Sequence, residues 1–132
     1  MKKLEDRNVI CLYGELGVGK TTFVQGLAKE LGVKKRVTSP TFILIREYKI
    51  KNCQIAKLPN CKFLYHTDCY RIKSERDVKS IDLSEIWEDK NNLVVIEWAG
   101  KIKKILPQKR IDIKFEYISK NKRKIIIDDF IN

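Results

Sequence analysis

The chain has 132 residues, 43% hydrophobic and 34% charged, with 28 Lys and Arg against 17 Asp and Glu for a net charge of +11. This suits one folded domain with a real core and argues against a disordered chain, a two-domain motor, or a transmembrane protein, since no apolar run approaches the ~20 residues that span a bilayer. The polar start, Met1 to Arg7, and the short first apolar run, Val9 to Tyr13, offer no signal-peptide core, so a cytoplasmic location without a membrane partner is expected.

In chain order, Asn8 to Tyr13 is a β-type apolar run, followed by a glycine-rich turn. From Lys20 to Leu31, Phe23, Val24, Leu27, Ala28 and Leu31 recur at helical spacing, and Gly32 is a helix stop. Thr38-Ser39-Pro40-Thr41 reads as a loop, with Pro40 holding Ser39 extended. Phe42 to Ile50 is a strand, with Ile43, Ile45, Tyr48 and Ile50 on its apolar sites. Lys51 to Asn60 is a hairpin connection or insertion, and Lys62 to His66 is another strand. Glu75 to Trp87 has helical character. Leu93 to Glu97 is nearly continuously apolar, as a strand covered on both faces requires. Lys101 to Leu106 gives a helical turn or two before Pro107. Ile111 to Ile118 alternates apolar with polar residues, Asp112, Lys114 and Glu116 taking the polar side. A turn at Ser119 to Arg123 and a strand at Lys124 to Ile127 complete a C-terminal β-hairpin. Strand–helix alternation ending in a hairpin predicts an α/β fold with a mixed, partly parallel sheet. Residues 1–132 read as one domain.

The strongest motif is Gly14-Glu15-Leu16-Gly17-Val18-Gly19-Lys20-Thr21, which satisfies G-x-x-x-x-G-K-[ST] in full. It lies between a predicted strand and a predicted helix, as the P-loop chemistry needs. Its glycines let backbone N–H groups close around phosphates, and the helix N-terminus adds its dipole. Lys20 can reach the β- and γ-phosphates of a nucleotide, and the Thr21 hydroxyl can bind Mg²⁺.

Such a site needs an acid at the end of a neighbouring strand. Glu97 ends the Leu93 run, and Asp68 ends Phe63-Leu64-Tyr65-His66-Thr67-Asp68. The pattern does not rank the two. Asp68 can orient an attacking water or act as a base, and Arg71 can pair with Asp68 or neutralise phosphate charge. Thr38 and Thr41 follow the P-loop helix, where NTPases often place a γ-phosphate sensor; a plain connecting loop fits the same residues. Trp98 can stack or pack, and His66, the sole histidine, can be an ordinary core residue. Cys11, Cys53, Cys61 and Cys69 form no C-x-x-C pair, which argues against a zinc site.

Four blocks together resemble the TsaE family, also called YjeE. Gly14 to Thr22 resembles its G-[DE]-L-G-x-G-K-T-T, Thr38 to Phe42 its S-P-T-[FY] segment, His66 to Arg71 its H-x-D-x-Y-R block, and Ile96-Glu97-Trp98 its [IV]-E-W block. Order and spacing agree across nearly the whole chain. The resemblance implies a P-loop NTPase-like three-layer fold. It also implies an ATPase, weak alone, that supports formation of N6-threonylcarbamoyladenosine (t6A) in tRNA. TsaB and TsaD would be its partners, with tRNA contacted indirectly through their complex. It further implies MgATP as ligand and ADP as product. Thr21 and Glu97 would be the metal ligands, and residues 14–22 with Trp98 the nucleotide contacts. Lys20, Asp68 and Thr41 would serve hydrolysis. The basic charge fits a partner complex carrying tRNA.

The chain departs from the family pattern in three places. The family usually has a strand and helix before the P-loop strand, part of its adenine pocket, where this chain has eight residues. Ile81 to Ile86 lacks the family's glycine, and Ala99 stands where proline usually follows E-W. Two other functions fit a P-loop of this size: a small metabolite kinase, for which no lid-length insertion is visible, and a nucleotide-dependent scaffold. A GTPase is disfavoured, since Asn121-Lys122-Arg123-Lys124 lacks the aspartate of N-K-x-D.

Overall fold

The computed structural model describes residues 7–15, 19–38, 45–51, 61–73, 75–78, 82–120 and 122–130. The layers follow from alternation along β1 (Val9–Tyr13). Val9 and Cys11 face one side, Ile10 and Leu12 the other, and all four are buried. A strand covered on both faces belongs inside a sheet flanked by helices. β1 accordingly pairs in parallel with β4 (Asn92–Glu97) on one side and with β5 (Arg110–Ser119) on the other.

β4 pairs in parallel with β3 (Phe63–Asp68). Antiparallel strands flank this parallel centre, β2 (Ile45–Lys49) against β3 and β6 (Lys122–Phe130) against β5. The sheet order among the described residues is β2-β3-β4-β1-β5-β6. β1 is thus the switch point, with β4 and β5 on opposite sides, where open α/β sheets form their ligand crevice.

One face carries α1 (Lys20–Glu30), which buries Val24, Leu27 and Ala28 in a cluster with Leu12, Val95 and Ile113. The opposite face is covered by α2 (Leu83–Glu88) and by 3-10 helices at Glu75–Val78 and Ala99–Ile105. Their Val78, Leu83, Trp87 and Ile102 pack with Cys11 and Ile96. The result is the expected three-layer α/β fold with a mixed sheet and a C-terminal hairpin. No helix among the described residues is long and apolar enough to cross a membrane.

Local expectations change in four places. The helix expected from Glu75 to Trp87 is two pieces, because Asp82 starts the second as its N-cap, accepting from the Glu85 N–H at 3.2 Å; residues 79–81 lie outside the described residues. The helical turn expected at Lys101 begins earlier, at Ala99. The last strand runs longer than Lys124 to Ile127, so the turn before it is shorter. Asp112, expected on a solvent face, is buried, because β5 is covered on both sides where it pairs with β1. Its charge is met by Arg110 Nε at 3.0 Å and the Tyr13 hydroxyl at 3.2 Å. Residues 39–44, which hold most of the expected Thr38–Thr41 loop and the start of the expected Phe42–Ile50 strand, and residues 52–60 of the expected Lys51–Asn60 connection lie outside the described residues.

Candidate functional site

The site is built where β1 gives way to α1. Gly14 has φ 141° and Gly19, directly before α1, has φ 104°. Both angles lie in the left-handed region that a Cβ disfavours, which explains glycine at these two positions. Lys20 is the first helical residue. Its side chain turns back towards the end of β1, and Nζ donates to the carbonyl oxygens of Gly14 and, at 3.0 Å, of Glu15. The ammonium also lies 4.2 Å from the centre of the Trp98 ring. Burial lowers the Lys20 pKa, while the nearby carboxylates of Glu97, Asp68 and Glu15 oppose that shift.

Parallel register delivers the acids. Asp68 stands beside Glu97, and Glu97 beside Leu12, on adjacent strands. Along β4, Leu93, Val95 and Glu97 share the α1 face, as Leu64, His66 and Asp68 do along β3. Both carboxylates are buried and lie at the carboxyl edge of the sheet. Thr21, in the first turn of α1, donates its hydroxyl to Glu97 Oε1 at 3.1 Å, with Oε2 at 3.3 Å. His66 Nε2 contacts Glu97 Oε2. Asp68 Oδ1 accepts from the Tyr70 N–H at 2.9 Å, which ties that carboxylate to the turn leaving β3.

Trp98 leaves β4 with φ 58° and ψ 41°, the positive-φ non-glycine residue among the described residues. Such a conformation costs on the order of 1–3 kcal/mol and persists where surrounding contacts enforce it. Here the Trp98 N–H donates to the Leu12 carbonyl at 3.1 Å, and Tyr70 packs on the indole with ring centres 5.1 Å apart. Beside the ring, Tyr13, Gly14, Glu15, Trp98, Gly100 and Lys101 line an open groove of about 320 Å³.

The donor set suits a small hard cation: Thr21 Oγ1 and Glu97 Oε1, in contact with each other, are oxygen donors of the kind Mg²⁺ takes. Among the described residues no group of three or more His, Cys, Asp or Glu could hold a metal by itself. A cation held by Thr21 and Glu97 would need its remaining ligands from outside the described residues.

The structure brings together Gly14, Glu15, Gly19, Lys20, Thr21, Asp68, Glu97 and Trp98 from the residues expected in the site. Thr22 is exposed on the first turn of α1. Leu16, Gly17, Val18 and Thr41 lie outside the described residues. The sequence leaves His66 open between an ordinary core residue and a site residue, and its contact with Glu97 is not foreseen there. The available signal was its position two residues before Asp68 on a strand, which gives both side chains the same face. The packing of Tyr70 on Trp98 had no such signal.

A family model described as "Threonylcarbamoyl adenosine biosynthesis protein TsaE" matches residues 1–125. The chain is similar to the tRNA threonylcarbamoyladenosine biosynthesis protein TsaE of Bacillus subtilis, with 37% identity over 118 residues, covering 89% of this chain and 67% of the relative. It is 33% identical over 123 residues to the protein of that name from Rickettsia felis, covering 92% of this chain and 66% of the relative. The chain thus spans about two thirds of the length of these two relatives. Its fold is similar to that in the crystal structure of Bacillus subtilis YdiB, with a TM-score of 0.68 and 30% identity, covering 97% of this chain and 75% of that one.

Proposed function

Because this chain belongs to the TsaE family of threonylcarbamoyl adenosine biosynthesis proteins, we propose that it is a Mg²⁺-dependent ATPase that supports t6A formation in tRNA together with TsaB and TsaD. The observation that carries the ATPase reading is the convergence of Asp68 and Glu97, at one sheet edge, with Lys20 and Thr21, the last two residues of a P-loop sequence.

Each residue has a role that follows from its chemistry. The Lys20 ammonium exchanges the neutral Gly14 and Glu15 carbonyls for anionic phosphate oxygens, so that both partners of the bond are charged. The backbone of residues 14–22 cradles the phosphates at the positive end of α1. Thr21 and Glu97 hold Mg²⁺, which neutralises phosphate charge when bound. Asp68, three residues before the Arg71 guanidinium in sequence, positions the attacking water or takes its proton. Water attacks the γ-phosphorus, the bond to the bridging oxygen breaks, and ADP leaves with that electron pair. The Trp98 ring, against Lys20, walls the site on the side of the Tyr13 groove.

The net charge of +11 supports a partner complex that carries tRNA, with tRNA contacted through TsaB and TsaD. A test is reconstitution with TsaB, TsaD, tRNA and the threonylcarbamoyl donor. The reading expects the chain to hydrolyse ATP faster in the mixture than alone and to sustain repeated rounds of t6A formation. Phosphate transfer to an added metabolite, with no effect on tRNA, would instead establish a kinase.

A further inference from the structure

We infer that His66 is a positioning residue for Glu97, holding the carboxylate against Thr21 and away from Lys20; this rests on the magnesium reading of the site. His66 is fully buried in β3 and its Nε2 meets Glu97 Oε2. A carboxylate can only accept, so the ring carries its proton on Nε2. The other nitrogen, Nδ1, is buried without a hydrogen-bond partner in the described structure. The ring is therefore anchored through the Glu97 contact on one side and by strand packing elsewhere, a rigid arrangement with one polar task.

The task follows from what surrounds Glu97. The carboxylate is buried, and a buried carboxylate requires donors. Thr21 supplies one, at 3.1 Å from Oε1. Lys20 is a nearby cation whose field acts on the same carboxylate. Were Glu97 to turn toward that ammonium, it would leave Thr21 and draw Lys20 from the loop carbonyls where phosphate is to bind. The His66 N–H satisfies Oε2 from the neighbouring strand, so Lys20 can stay on Gly14 and Glu15. Partners behind a metal-binding carboxylate commonly contribute 10- to 100-fold to metal affinity. His66 thus preorganises the metal side of the site before nucleotide arrives.

The experiment is calorimetric titration of ADP, with and without Mg²⁺, into the wild-type chain and into His66→Gln, His66→Asn and His66→Ala. The readout is the fold-increase in ADP affinity given by magnesium, independent of turnover. The glutamine amide nitrogen reaches the place of Nε2, whereas the asparagine amide nitrogen reaches only that of Nδ1. His66→Gln is expected to retain most of the magnesium increment, and His66→Asn and His66→Ala to lose about tenfold of it, with metal-free ADP affinity changing less. Melting curves for all four proteins establish that they are folded. If wild type shows no increment, the magnesium reading itself fails. If wild type shows it and folded His66→Asn and His66→Ala keep it in full, or Gln and Asn behave alike, the positioning role is overturned and the magnesium reading stands.

Discussion

Thr21 and Glu97 are 76 residues apart in sequence, yet the threonine hydroxyl donates to the glutamate carboxylate at 3.1 Å. One lies in the first turn of the helix after β1 and the other ends the neighbouring parallel strand, so the contact is made by topology. If both serve one cation, their loss should not be additive. Thr21→Ala and Glu97→Ala are each expected to lower ATP turnover at least tenfold, and the double variant to be hardly worse than either single one. A double-mutant cycle on steady-state phosphate release checks this, with independent, multiplying losses as the contrary result.

Lys20 is buried beside Trp98, and its ammonium bonds two backbone carbonyls. Lys20→Ala should reduce nucleotide affinity or turnover by about 100-fold, the scale of removing one charge-stabilising donor. Lys20→Arg should rescue little, because a planar guanidinium does not fit a pocket shaped for a compact ammonium. Fluorescent-nucleotide titration of both variants measures this.

The Asn8 side chain ties the start of β1 to the start of the neighbouring β4 and to the end of α2. Its amide donates to the carbonyls of Trp87 at 2.7 Å and Asn92 at 2.9 Å. Asn8→Ala leaves those buried acceptors without their donor, a loss of about 1–3 kcal/mol. Urea unfolding should give a lower midpoint with an unchanged slope.

Burial pushes the Cys69 thiol up to about 12, with the Asp68 charge adding to the effect. Burial, followed by the charge of Asp112, moves Cys11 in the same direction. Both thiols should stay protonated and resist iodoacetamide at mildly alkaline pH until urea unfolds the chain, as mass spectrometry of the labelled protein can follow. The sign for stability follows from the raised pKa. Cys69 contributes stability that is fully present below the unfolded thiol value of about 8.5 and that is lost as pH rises towards about 12.

Much of the site was legible because it depends on residue type at fixed spacing. The P-loop must follow a strand and open a helix, and Val9–Tyr13 and Lys20–Glu30 carry the matching periodicities. Glu97 and Asp68 were legible as acids at strand ends, but only the parallel register of β3 on β4 brings them side by side. Asp112 misled the alternation argument because a partly covered strand changes exposure along its length: Asp112 is buried, whereas Lys114 and Glu116 on the same strand are exposed. His66 was ambiguous because a lone histidine carries no pattern. Its role depends on which strand lies next to β3, a property of the whole sheet.

The most direct measurement is phosphate release from ATP by the purified chain, alone and with TsaB, TsaD and tRNA, beside the Lys20→Ala variant. The account predicts slow Mg²⁺-dependent release by the chain alone, a rise with the TsaB–TsaD pair, and loss of both in Lys20→Ala. Equal release by wild type and Lys20→Ala, or wild-type release indifferent to Mg²⁺ and to the pair, would contradict it.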